Sequence, residues 1–219
     1  MILVAMSRWY GDHGRLEDLE PTVDLLLPHA TGIERVILRG HLVTIATNRG
    51  DYRTGLTENQ QLEADLQRLA EDSDYYRNLH AAITQQIDCL IELDQLDEAE
   101  RRWRDADALI PHLEQHRAEA QARLLGQLAN LRSEQNRMDA AIDAASQAVQ
   151  HAVANYCADV LVAELRNTRA RVLHQGRTRS RGARRTQIDA PHRHAPGASL
   201  AVPPPQGAPS ETLRRAAGA

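Results

Sequence analysis

The chain contains no lysine and no phenylalanine, and only two cysteines among 219 residues. Arginine supplies all 26 basic residues. That bias reflects a GC-rich coding sequence more simply than a function that demands guanidinium and refuses ammonium. Cys89 and Cys157 lie far apart inside apolar helical patterns, which excludes a disulfide framework or a cysteine metal site and marks both as buried thiols. Long apolar runs are missing too. Met1–Met6 is apolar over six residues only, has no basic leader and runs into Arg8-Trp9-Tyr10, so it is too short for a signal-peptide core or a membrane span. The expected location is the cytoplasm, with no membrane partner. β-branched residues never alternate over more than a few positions, so nothing reads as a strand.

Charge is unevenly spread. Residues 1–175 hold 18 Arg against 28 Asp and Glu, a balance of −10. Residues 176–219 hold 8 Arg against 2 acids, a balance of +6. An acidic body makes general nucleic-acid binding by residues 1–175 unexpected.

What the chain does have is repeated punctuation. Helix-like stretches end on Gly14-Arg15-Leu16, Gly50-Asp51-Tyr52, Asp94-Gln95-Leu96 and Asn136-Arg137-Met138, at intervals of 36, 44 and 42 residues. A weaker fifth copy, Gly176-Arg177, follows after 40. Gly, Asp and Asn tolerate positive φ where a helix stops and the chain reverses. Three residues beyond each apolar turn position sit Leu19, Gly55, Ala99 and Ala141. A stop signal with this period predicts stacked helical hairpins.

Apolar spacing fills in the pairs, an A helix and then a B helix. The first A helix is reduced to about Ile2–Tyr10, and its B partner runs from Leu16 to Pro28. The second pair is expected near Ile33–Arg49 and Thr57–Glu71. Asp72-Ser73-Asp74 then caps an A helix carrying Leu79, Ile83, Ile87, Leu90 and Ile91. Its B partner carries Leu96, Ala99, Trp103, Ala106 and Ile110. The fourth pair has Leu124, Leu125, Leu128 and Leu131, then Met138, Ala141, Ala145, Ala148 and Val149. A fifth A helix is expected at Ala154–His174. Small residues on one buried row let helix backbones approach, and Trp103 on the equivalent row fills the space between units. Residues 176–219 are rich in Arg, Ala, Pro and Gly without apolar periodicity, and read as a disordered tail. The expectation is an all-α fold, an α-α superhelix (solenoid) of antiparallel helix pairs over residues 1–175, incomplete at both ends, followed by that tail.

These residues resemble the tetratricopeptide repeat. Gly50-Asp51-Tyr52 matches the family's turn verbatim. Asp94, Leu96, Ala99, Trp103, Ala106 and Pro111 stand at the family's offsets, and Asn136, Met138, Ala141, Ala145 and Ala148 share the register. Intervals of 40–44 exceed the family's standard 34 and resemble the long-helix variants found in sensor arms of bacterial transcription regulators and signalling ATPases. The A helices carry aliphatics where the family has aromatic and Gly positions. The resemblance implies a ligand groove lined by the A helices, here Ile37, Thr44 and Asn48, then Thr84, Asp88 and Glu92, then Arg123, Asn130 and Glu134. It further implies a protein or peptide ligand held by side-chain hydrogen bonds and a few charges.

Other candidates read more plainly. His112 and His116 have the i, i+4 spacing of two metal ligands on one helix face, yet only Glu119 offers a third ligand, and solvent-exposed histidines are expected. Asp97-Glu98 and Glu100-Arg101-Arg102 read as a solvated helix start with intrahelical pairs. There is no phosphate-binding glycine loop, and no carboxylate recurs with a His, Ser or Cys as a nucleophile with its base. The sequence thus predicts no enzyme, no cofactor and no metal. It predicts a protein- or peptide-binding scaffold or sensor module, a fragment of a bacterial signalling or transcription regulator. Uncapped repeat ends carry a tendency to self-associate. The alternative is nucleic-acid or acidic-surface binding by Arg177-Thr178-Arg179-Ser180-Arg181 and Arg184-Arg185, against a tail that is a readout of the gene never selected to fold.

Overall fold

A computed structural model describes residues 16–69 and 73–188. Eight α-helices follow one another among the described residues: α1 Leu16–Leu26, α2 Gly32–Asn48, α3 Tyr52–Leu66, α4 Ser73–Glu92, α5 Leu96–Leu109, α6 Arg117–Glu134, α7 Met138–Ala154 and α8 Asp159–Ile188. The 3-10 turns Ile110–His112 and Glu114–His116 join α5 to α6. The chain divides into Met1–Ser180 and Arg181–Ala219. The described part of the second unit, 181–188, is helical.

The repeated turns have one backbone design. Gly50, Asp94 and Asn136 take φ of +75°, +58° and +60°. In each, the next residue's N–H reaches back five positions: Asp51 to Ala46 O at 2.9 Å, Gln95 to Leu90 O at 2.9 Å and Arg137 to Arg132 O at 2.8 Å. This six-to-one bond occupies a carbonyl that the ending helix leaves free, so the turn both stops one helix and aims the next. Asp51 then caps α3, its Oδ1 accepting from Thr54 N at 3.1 Å.

Consecutive helices from α1 to α7 pack against one another as antiparallel neighbours, and α4 also packs against α6. Gly55, Ala99 and Ala141 are all buried, and Gly55 shows why. A Cβ added there would stand 3.0 Å from Thr47 Cγ2 and 3.4 Å from Cys89 Sγ, so the first residues of α3 press directly on α2 and α4. A core from Val36 to Leu131 runs through α2–α6. A second, built on Ala122, Ala148, Ala152, Leu161 and Leu165, seats α8 on α6 and α7. Cys89 and Cys157 are buried free thiols, and burial raises both pKa values, that of Cys89 to about 11. None of the described helices is long and apolar enough to cross a membrane.

Several expectations change. No turn forms at Gly176: α8 runs through it to Ile188, so the stop read there, and the disordered tail read from 176, are corrected over residues 176–188. This glycine serves contact instead, since an added Cβ would meet Met138 Cγ at 3.0 Å. The turn that precedes α8 lies at Tyr156, with φ +54° and the same Cys157 N to Ala152 O bond at 3.0 Å. Cys157 thus stops α7 where the sequence suggested a helix already under way from Ala154. Trp103 is half-buried, and its Nε1–H donates to Leu124 O at 2.9 Å, pinning α5 to α6. His112 and His116 do not share a helix face, because Pro111 and the positive φ of Glu114 split the segment into two 3-10 turns. The His112 ring stacks on Tyr76 at 4.5 Å. Expectations for Ile2–Tyr10, Gly14-Arg15, Asp72 and residues 189–219 lie outside the described residues.

Candidate functional site: a polar groove between three helices

Helix α4 buries Leu79, Ile83, Ile87 and Leu90, which turns Thr84, Asp88 and Glu92, one helical turn apart, to its other side. On α6 the corresponding stripe is Arg123, Gln127, Asn130 and Glu134. On α8 it is Glu164, Thr168, Arg171 and Gln175. The three stripes meet. Gln127 Nε2 donates to Thr84 O at 2.7 Å, Arg171 Nη2 to Asn130 Oδ1 at 2.8 Å and Ser133 Oγ to Gln175 Oε1 at 2.7 Å. Arg123 pairs with Glu164 at 3.4 Å. Partners in these contacts stand 41 to 43 residues apart, the interval of the repeated turns. Close approach of α6 and α8 is secured at Gly126, where an added Cβ would fall 2.7 Å from Leu165 Cδ2.

Two adjoining cavities open along this seam. One of 430 Å³ is lined by Thr84, Asp88, Arg123, Gln127, Asn130, Glu164 and Thr168 with the apolar Leu161 and Leu165. The other, of 260 Å³, is lined by Tyr52, Asp88, Ile91, Glu92, Asn130, Ser133, Glu134, Arg171 and Gln175. Asp88 and Asn130 belong to both, which makes the two a single groove. Six of the nine positions expected in it are therefore brought together: Thr84, Asp88, Glu92, Arg123, Asn130 and Glu134. Ile37, Thr44 and Asn48 on α2 line neither cavity. Ile37 is half-buried, Asn48 is exposed at the end of α2, and Thr44 Oγ1 turns back to Gly40 O at 2.9 Å. The α8 stripe was missed by sequence reasoning. Adding 41 to Arg123 and Asn130, the offset of their own contacts, reaches Glu164 and Arg171.

Asp88 is the electrostatic centre. By accessible area it is exposed, yet α4, α6 and α8 crowd its carboxyl. The loss of hydration pushes its pKa up to about 6, with Glu92 adding to the rise and Gln127 and Arg171 opposing it. Water still reaches one side of the group, which limits the free-energy consequence.

A larger cavity, 650 Å³, lies on another side, lined among others by Leu56, Gln60, Glu63, Gln86, Asp94 and Arg102. Three of its polar side chains close on one another. Arg102 reaches Glu63 Oε2 at 2.5 Å and Gln86 Oε1 at 3.0 Å, and Gln86 Nε2 donates to Glu63 at 2.9 Å. That network holds α3, α4 and α5 together, while Asp94 and Asp97 in the same lining have no ion pair among the described residues. The groove differs, because it presents carboxylates, amides and guanidiniums around open space. Such a lining offers hydrogen-bond donors, acceptors and charges of both signs to the space it surrounds.

The fold defines a class: an all-α protein of consecutively packed antiparallel helices, with a polar groove along three of them. No protein-family model matches the chain, and neither a curated protein nor a solved structure does.

Proposed function

We propose that the chain is a non-enzymatic, tetratricopeptide-like helical solenoid that holds a peptide or a segment of another protein in the groove between α4, α6 and α8. It serves as a scaffold or sensor module of the kind found in bacterial signalling and transcription regulators. The observation that carries this reading is convergence: side chains at one repeat interval, from three successive A-position helices, surround one groove. Turns of one design at Gly50, Asp94 and Asn136 support the repeat. A groove lined by donors, acceptors and charges of both signs suits an extended segment whose backbone and side chains are read together.

Panning displayed random dodecapeptides on the full chain tests this. Recovered peptides are expected to slow amide hydrogen exchange in α4, α6 and α8. Failure to recover binders, or protection confined to α3 and α5, contradicts the reading.

A further inference from the structure

Resting on that reading, we infer that the bound segment places a basic side chain, Lys or Arg, in the part of the groove lined by Asp88, Glu92 and Glu134. The first support is the inventory of the smaller cavity: three carboxylates against one guanidinium, that of Arg171. Arg171 directs an N–H to the neutral amide oxygen of Asn130 at 2.8 Å. In the adjoining cavity Arg123 is paired with Glu164, so it does not offset the three.

The second support is contrast with the rest of the fold. At three carboxylates elsewhere among the described residues, arginine answers the charge. Asp65 takes Arg39 at 2.7 Å, Arg35 at 3.2 Å and Arg68 at 2.7 Å, Glu63 takes Arg102, and Glu100 takes Arg132 and Arg104. Asp88, Glu92 and Glu134 have no such ion pair. Acceptors are in surplus next door as well, since the buried Oε1 of Gln127 has no hydrogen-bond partner. A groove with negative charge and acceptors to spare complements a donor-rich cation. An ammonium or guanidinium on a flexible stem delivers one while its methylenes lie against Ile91 and Tyr52.

The groups facing Asp88 are Glu92 on its own helix, Arg123 and Glu134 on α6, and Glu164 and Arg171 on α8, with Tyr52 of α3 at the rim. A cation arriving among them favours the ionised form of Asp88, whose free pKa stands near 6. Binding at pH 7 therefore exceeds binding at pH 5, where the proton must first leave.

The test uses peptides recovered on the full chain. They are expected to share a Lys or Arg at one position and to lose about tenfold in affinity against Asp88→Asn, the order of a charged hydrogen-bonded contact. The wild type should bind more tightly at pH 7 than at pH 5, and Asp88→Asn should flatten that difference. If Asp88→Asn lowers helical content, Glu92→Gln takes its place with the same expected loss. Peptides that protect the groove but share no basic position overturn this inference and leave peptide binding standing, as do basic peptides indifferent to both variants. An empty selection overturns the binding reading and this inference with it.

Discussion

Two polar regions of this molecule use the same residue types to opposite ends. Arg39 closes on Asp65 between α2 and α3, Glu63, Gln86 and Arg102 close on one another across α3, α4 and α5, and Arg39, Asp65 and Gln86 are buried. Along α4, α6 and α8, Asp88, Glu92 and Glu134 stand around open space without an arginine each. A closed network holds helices in register and is costly to break. An open set of charges contributes little to the fold and is available to something else. Polarity alone does not mark a site; polarity left unanswered does.

The comparison breaks most readily at Arg39. Its Nε and Nη1 reach Asp65 and Glu58 at 2.7 Å each, so Arg39→Ala leaves two crowded carboxylates short of a partner. Loss of about 3 kcal/mol is expected in urea unfolding, toward the low end for a broken buried pair because Arg35 and Arg68 still reach Asp65. Trp103→Ala should cost about 2 kcal/mol, below the range for a fully buried Trp because the residue is only partly buried.

Glu100 sharpens the contrast through pH. Arg132, Gln135 and Arg104 hold its carboxyl down to about 2. A depressed acid stabilises the fold above its unfolded value of 4.5, and that stability is lost as pH falls toward 2. Glu100→Gln should thus cost about 1 kcal/mol at pH 7, discounted for solvent screening, and nothing near pH 2. Asp88 should do the reverse. Its folded pKa is raised, so it weakens the fold as pH climbs from about 4 to about 6. Asp88→Asn should match the wild type below pH 4 and exceed it at pH 7 by less than about 1 kcal/mol, since water reaches the group.

Much of this was legible in the residues. Gly50, Asp94 and Asn136 announced their positive φ, and Gly55, Ala99 and Ala141 announced the buried row, because few residue types tolerate either demand. Thr84, Asp88 and Glu92 followed from the register of the tetratricopeptide resemblance, not from spacing alone. Tyr156 was not legible, since a tyrosine in left-handed backbone is held there by the chain around it and carries no local signature. Gly176 misled for a related reason: glycine serves both turns and close helix contacts, and sequence alone does not separate them. Thr44 and Asn48 sat in the right register, but their helix contributes nothing to the two cavities.

The claim that the groove holds unanswered charge while the network is closed is tested most directly by following the side-chain carboxyl carbons of Asp88 and Glu100 by NMR in one pH titration of the full chain. A midpoint near 6 for Asp88 together with one near 2 for Glu100 is the predicted result. Two midpoints in the ordinary carboxylate range, about 4, contradict it.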